Sequence, residues 1–481
     1  MKPLHLEEIR RAIHGRMAAG PLRVGGIAAA ANVQITGVST DTRTCKAGDL
    51  FFAIRGERFD GHAFLSQAAS AGCAAAVVAM SAKLSDGIGA EFPCGLVFVD
   101  DATAALGELA AYHRDMIPPT VIAVTGSNGK TTTKRIIHHI LSKRFKGTCS
   151  PKSFNNNIGV PLTLLGACAG DDYVVCEVGT NAPGEIAALA SIIRPNIAVI
   201  TSVGPTHLER LGTVADVAVE KASLLGRLHQ SGLAVVWADS GELNAALRAW
   251  RCKTVRFGAA ESADLRLTGY RPSGSSQSFQ LNGRLRVELP LAGRHNAFNA
   301  LAAIAVAQRL GFTPQEAAAA LADFAGGDMR LEWLTVGSVR VINDAYNANP
   351  ASMLAAAAVL AEAQGSRRVL IAGDMRELGD QSRALHERSG ADIAAMNVDL
   401  LIGVGELGRY IARGASEGGK AAESFDSVEE ARSRVAGLLR EGDVVLVKGS
   451  RAMAMERLIE PIRAAFDPVR RRQPVQEGRK A

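Results

Sequence analysis

Short apolar runs alternate along the chain with stretches whose apolar positions recur at helical spacing. The spacing predicts a helix over Leu6–Ile13 and strands at Gln34–Val38, Leu50–Ile54, Ala75–Val78 and Leu96–Val99. A helix over Ala102–Met116, followed by Pro118-Pro119, leads into a second unit. There the strands Val121–Thr125, Tyr173–Val178, Ile197–Thr201 and Ala234–Trp237 read as apolar runs buried on both faces of a largely parallel sheet, with helices between them. Residues 263–291 alternate over short stretches broken by Pro272, Gly274 and Gly283, and read as edge hairpins. A helix over Asn296–Leu310 closes this unit. Past Gly326-Gly327, the strands Val339–Asn343, Arg368–Ala372, Leu400–Val404 and Val444–Lys448 alternate with helices.

The expected fold is therefore α/β with three domains. Residues 1–99 form a small N-terminal α/β domain, and residues 100–325 a central domain of P-loop type with helices on both faces of a mostly parallel sheet. Residues 326–466 form a Rossmann-like domain, and residues 467–481 a basic tail expected to be disordered. The third unit is read without a Gly-x-Gly-x-x-Gly turn, and no dinucleotide is assigned to it.

The most informative stretch is Thr125-Gly126-Ser127-Asn128-Gly129-Lys130-Thr131-Thr132. It follows a buried strand and opens a helix, so backbone N–H groups and the helix dipole favour a polyanion there. Lys130 is placed to reach the outer phosphates and Thr131 to hold Mg²⁺. The usual P-loop has a glycine where this chain has Val124, and the shorter form points away from motors and GTPases.

Bulk properties exclude other classes. The 481 residues carry a net charge of +6, part of it in Arg470-Arg471-Arg472 and Arg479-Lys480. There is no basic stripe with interleaved aromatics, so no nucleic-acid partner is expected. The seven cysteines are scattered without a Cys-x-x-Cys pair, which fits reduced thiols in a cytoplasmic protein. No signal-peptide core and no membrane-length apolar run is seen, and no membrane partner is expected.

Further segments fall in order along the chain. Phe154-Asn155-Asn156-Asn157-Ile158-Gly159 follows the phosphate-loop helix, and Glu177-Val178-Gly179-Thr180-Asn181 sits at a strand's C-terminal end. Then come Thr206-His207-Leu208-Glu209, Lys221, and Arg294-His295-Asn296-Ala297-Phe298-Asn299. Ser39-Thr40-Asp41-Thr42-Arg43 and Gly56-Glu57-Arg58-Phe59-Asp60-Gly61-His62 precede them. Asn343-Asp344-Ala345-Tyr346-Asn347-Ala348-Asn349-Pro350, Gly373-Asp374-Met375-Arg376-Glu377-Leu378-Gly379 and Val447-Lys448-Gly449-Ser450-Arg451 follow. Together these resemble the Mur ligases, the amide-forming enzymes of peptidoglycan precursor synthesis. The resemblance covers about 35 to 465 and is strongest for the members that add D-alanyl-D-alanine to UDP-N-acetylmuramoyl-tripeptide.

Chemistry agrees with the resemblance. A carboxylate is a poor electrophile and must be activated, here by the γ-phosphoryl group of ATP, and bringing two anions together requires cations such as Lys130 and Mg²⁺. Thr131 and Glu177 are the expected ligands of a first Mg²⁺. The resemblance implies His207 at a second ion and a carbamylated Lys221 beside it. It implies adenine contact by Asn296, with His295 and Asn299 as neighbours, and contacts to ATP from Arg330 and Asp344. It implies that Ser39, Asp41, Thr42 and Arg43 help bind the uridine diphosphate end. Asn156, Asn347 and Asn349 are expected on the substrate side, with Lys448 and Arg451 beside them. A monomer is the default. The rivals are a sibling ligase, either the tripeptide-forming Mur enzyme or a folylpolyglutamate synthase, and a P-loop switch or motor.

Overall fold

The computed structural model describes residues 1–17 and 33–467, so most of the expected tail lies outside the described residues. Within them the chain forms one ribbon and three sheets.

In the first unit, the strands Gly37–Ser39, Asp49–Phe52, Ala75–Ala79 and Leu96–Val99 pair in parallel, and Arg16–Met17 adds an antiparallel edge. The run expected as one strand from Gln34 divides. Gln34–Ile35 pairs antiparallel with Leu4–His5, while Gly37–Ser39 joins the main sheet. The helix Ala102–Met116 has the bounds expected of it, and Asp101 caps it by accepting from Thr103 N and Ala104 N. Its buried face, including Leu106 and Leu109, shares a core with Leu50, Val77 and Val97 of the first unit and with Val160, Leu164 and Leu189 of the central unit, so the two units are packed together.

The central sheet has nine strands, and Thr120–Thr125 lies inside it between Tyr173–Glu177 and Ile197–Ile200. Val121 and Ala123 enter one core and Ile122 and Val124 the other, as expected of a strand covered on both faces. The hairpin strands Leu265–Ser273, Ser276–Leu281 and Leu285–Leu289 form one edge, as the alternation predicts. Two strands were not foreseen. Gly147–Cys149 is three residues long, and Lys253–Gly258 begins with the exposed residues Lys253 and Thr254.

The third sheet runs Glu332–Val336, Val339–Asp344, Asp443–Lys448, Arg367–Gly373, Leu400–Val404, Ala421–Phe425. It is parallel apart from its first strand. The outermost strands were missed, because edges carry polar residues and lose the apolar signature.

Candidate active site

The phosphate loop is built by close packing. Gly129 has φ 83°, and a Cβ on Gly126 or Gly129 would collide with the Thr201 hydroxyl or the Asn299 amide respectively. Ser127 N donates to Ser202 O at 2.9 Å, and Asn128 N to Ser202 Oγ at 2.9 Å, fastening the turn to the loop after Ile197–Ile200. The helix Lys130–Leu141 begins directly after the turn, so the N–H groups of its first turn point into the opening. Lys130 folds back and its Nζ donates to Gly126 O at 2.7 Å. Burial pushes this ammonium below the usual lysine range; Glu177 opposes the shift and Arg330 adds to it.

A cleft of about 890 Å³ opens over this loop. Ser127, Asn128, Gly129, Lys130, Thr131, Thr132, Asn156, Glu177, His207, Asn296, Arg330, Asp344, Asn347 and Asn349 all line it. His295, Asn299 and Lys448 join them. Thr125 lies buried beneath. Lys221, Arg451 and the Ser39–Arg43 segment do not line the cleft.

Glu177 is held from two sides. Asn155 Nδ2 donates to Oε1 at 3.0 Å, and Lys134 Nζ stands 3.1 Å from Oε2 in a fully buried ion pair. The geometry to Lys134 is charge–charge rather than an aligned hydrogen bond, and Oε2 accepts none. His207, at φ 54°, opens the short helix Leu208–Leu211, and its Nδ1 lies 2.5 Å from Glu377 Oε2 of the third unit. That contact, with burial opposing it, holds the Glu377 carboxyl below its ordinary range.

Lys221 is buried on the helix Val214–Ala222 with no ion pair or hydrogen bond to its Nζ among the described residues. Burial, with the nearby Lys130 adding to it, pushes its ammonium down to about 7. Its neighbour Glu220 is spent elsewhere, accepting from Gly184 N and Ile186 N at 2.8 Å each.

Thr131, Glu177 and His207 offer hydroxyl, carboxylate and imidazole to one opening, and Glu177 keeps a buried oxygen without a hydrogen bond. This donor chemistry suits Mg²⁺. No group of three His, Cys, Asp or Glu among the described residues is arranged around a metal position.

The third unit reaches into this opening. Arg330 donates to Thr131 Oγ1 at 3.1 Å, and its guanidinium stacks 4.0 Å above the Tyr346 ring. Tyr346 Oη donates to Ser153 Oγ at 2.7 Å. Asn128 and Asn349 exchange amide hydrogen bonds of 3.2 and 2.8 Å. Asn349 also caps the helix Pro350–Glu362 through Ser352 N, so its side chain is already committed. Lys448 holds Asp344 at 2.5 Å and donates to Asn347 O at 3.0 Å. Burial pushes the His295 ring down to about 4.

Several expected contacts are occupied internally. Asn296 Nδ2 donates to Ala292 O at 2.7 Å, and its Oδ1 accepts from Asn299, which in turn accepts from Thr133. These amides buttress the floor of the phosphate loop. Asn156 Oδ1 accepts from Gly159 N at 2.9 Å at the start of the helix Gly159–Gly166. In the first unit, Asp41 and Arg43 form an exposed pair at 2.6 Å, and Arg43 holds the Asp41 carboxyl down to about 2. Ser39 Oγ donates to Asp41 O at 3.0 Å and Thr42 Oγ1 to Gln67 Oε1 at 3.3 Å. Arg451 is paired with Glu456 at 2.8 Å.

Sequence reasoning missed Lys134, Ser153, Asn155, Tyr346 and Glu377 as individual residues. Lys134 had one signal, its position one turn after Lys130 on the same helix face.

The reading of the third unit needs a correction. Gly403-Val404-Gly405-Glu406-Leu407-Gly408 does have the Gly-x-Gly-x-x-Gly spacing, between the strand Leu400–Val404 and the helix Gly408–Glu417. Leu407 N and Gly408 N both donate to Asp374 Oδ1 at 2.9 Å, so an internal carboxylate fills the position a pyrophosphate takes in dinucleotide binders.

Known proteins agree with this architecture. Family models described as the Mur ligase family catalytic domain, the Mur ligase middle domain and the Mur ligase glutamate ligase domain match residues 34–114, 124–307 and 329–451. The UDP-N-acetylmuramoyl-tripeptide–D-alanyl-D-alanine ligase of Escherichia coli (strain K12) is 37% identical over 440 residues, covering 90% of this chain and 94% of that protein. Its namesake from Bacillus subtilis (strain 168) is 35% identical, covering 89% and 93%. A crystal structure of MurF from Acinetobacter baumannii superposes with TM-score 0.84 at 31% identity, covering 96% of this chain and 99% of the other. MurF ligase from Thermotoga maritima in complex with ADP gives TM-score 0.78 at 27% identity, covering 89% and 97%. A folylpolyglutamate synthase from Mycobacterium tuberculosis, at 19% identity and TM-score 0.57, shares the fold alone. On the ordered motifs, the three matched domains and relatives aligned along nine-tenths of its length, the chain belongs to the Mur ligase family.

Proposed function

We infer that the chain is an ATP-dependent amide-bond ligase that joins D-alanyl-D-alanine to UDP-N-acetylmuramoyl-tripeptide, giving the pentapeptide precursor of peptidoglycan, ADP and phosphate. It belongs with the acid–amino-acid ligases and acts in the cytoplasm, and no helix among the described residues is long and apolar enough to cross a membrane. The observation that carries the reading is one cleft faced by both the phosphate loop and the Asp344–Asn349 loop. Relatives of this name, aligned over nearly their whole length, support it.

The tripeptide carboxylate attacks the γ-phosphorus of ATP, the bond to the β-bridging oxygen breaks, and an acyl phosphate and ADP result. The dipeptide amine then attacks the acyl carbon and loses a proton, and the tetrahedral adduct expels phosphate. The loop N–H groups and Lys130 bind the phosphates, and Arg330 brings a second cation as the third unit closes. Thr131 and Glu177 would hold one Mg²⁺, with His207 and Lys221 at a second, and these ions would neutralise phosphate charge. Lys221 suits a carbamate: its amine is buried, has no partner among the described residues, and is partly neutral near pH 7, so it can add CO₂ with release of a proton. The resulting anion would supply the acidic group that the acidic and imidazole side chains alone do not provide. Residues 1–99 hold the nucleotide-sugar in this scheme, with the Asp41–Arg43 turn at its diphosphate, and 326–466 hold the dipeptide.

Phosphate release tests the reading. Turnover should require ATP, the UDP-linked tripeptide and D-alanyl-D-alanine together. Robust turnover with ATP alone would instead identify a motor or switch.

A further inference from the structure

Two lysines one turn apart on the phosphate-loop helix feel the same carboxylate, Glu177, but among the described residues only Lys134 is paired with it. Lys130 and Lys134 occupy successive positions on the same face of the helix Lys130–Leu141, and the strand carrying Glu177 pairs directly with the strand that ends in the phosphate loop. The two ammonium groups are treated differently. Among the described residues Lys130 Nζ is held only by Gly126 O, at 2.7 Å. Lys134 Nζ takes Glu177 Oε2 at 3.1 Å, Ser150 O at 2.9 Å, and Lys152 O. Both Lys134 and Glu177 are fully buried. A buried carboxylate has to find a cation or stay unpaired at high cost, and after Lys134 the candidate on that helix face is Lys130.

We propose that Lys134 is a positioning residue that keeps Glu177 off Lys130, leaving the Lys130 ammonium free for the nucleotide. Lys134 also fixes the backbone at Ser150 and Lys152, which places Ser153 3.4 Å from Thr131 Oγ1. Asn155 steadies the other carboxylate oxygen from the same segment. Without Lys134, Glu177 turns to Lys130 and competes with the phosphates. The inference rests on the reading of this loop as the nucleotide site.

Metal-free ADP binding by the full-length protein, measured calorimetrically in the presence of a chelator, tests it. Lys134→Met is expected to weaken ADP by about tenfold or more, the worth of one charge-assisted contact. Adding Glu177→Gln to Lys134→Met removes the competing carboxylate and should restore affinity to within about threefold of wild type. In a Lys130→Met background, Lys134→Met should change nothing further. A purely structural Lys134 would give the opposite: loss of affinity irrespective of Lys130, and no rescue by Glu177→Gln. If Lys134→Met does not fold, the Lys134→Met, Glu177→Gln double variant compared with Glu177→Gln alone decides. The two should bind ADP equally, and a further loss in the double variant overturns the proposal. Failure of the wild-type protein to bind ADP would remove the nucleotide reading itself.

Discussion

Arg330, on the loop that opens the third unit, donates a hydrogen bond of 3.1 Å to the hydroxyl of Thr131 in the phosphate loop of the central unit. Almost 200 residues separate them, so the contact exists only when the two units are closed. Tyr346 stacks on the guanidinium and anchors it to Ser153. Arg330→Ala should therefore lower kcat by about 100-fold or more, the scale of losing a preorganised cation at a developing charge. Thermal stability should move little, because Arg330 is itself partly exposed and the neutral Thr131 hydroxyl is not left as an unpaired charge. Steady-state kinetics beside a melting curve checks both halves. A fall in Tm matching the fall in rate would remove the catalytic interpretation.

Lys221 gives a second test. Lys221→Ala should lose nearly all activity, and added acetate should restore part of it by supplying the carboxylate that a carbamate would provide. Absence of rescue at every concentration counts against the carbamate. Intact-mass measurement under native conditions, with and without bicarbonate, gives an independent readout.

His113 predicts a pH effect remote from the cleft. It is fully buried on the helix Ala102–Met116, its Nε2 accepts from Lys2 N at 3.0 Å, and burial pushes its ring down to about 4. The unfolded chain takes up a proton near pH 6.5 and the folded one does not, so stability is full above 6.5 and falls as pH drops towards 4. The slope from this group is at most about 1.4 kcal/mol per pH unit. Below pH 4 both states are protonated and its contribution stops changing. His113→Leu should flatten the stability profile between 4 and 6.5, read by denaturant titration. An unchanged slope contradicts the assignment.

Asn349 separates capping from closure. Asn349→Ser keeps a side-chain cap for Ser352 N and loses the exchange with Asn128, so it should be nearly as stable as wild type. Asn349→Ala should lose about 1 kcal/mol as well. If closure depends on the amide exchange, both variants should show a similar drop in kcat/KM. Loss of activity in the alanine variant alone would assign Asn349 to capping only.

Much of this was legible in the residues. The strand ending at Thr125, the glycine turn and the following helix were read from an apolar run meeting Gly126 and Gly129, and the helix Ala102–Met116 from its spacing. What escaped notice was what depends on the third dimension. Nothing local indicates that Lys134 faces Glu177, which the pairing of neighbouring strands brings about, or that Glu377 meets His207, which the packing of the third unit on the central one brings about. The amides show a different failure. Asn296 and Asn349 belong to recognisable motifs, yet their hydrogen bonds are spent on the Asn299 network and on the Pro350–Glu362 cap. Asp374 is the converse case, a carboxylate that fills a fingerprint turn and makes the motif structural.

The cleft is inferred to activate a carboxylate by phosphoryl transfer. Isotope transfer tests it directly. With ¹⁸O in the terminal carboxylate of the UDP-linked tripeptide, each turnover with ATP and D-alanyl-D-alanine should deliver one ¹⁸O into inorganic phosphate, detected by mass spectrometry. Phosphate free of ¹⁸O, with product still formed, would contradict the acyl-phosphate route.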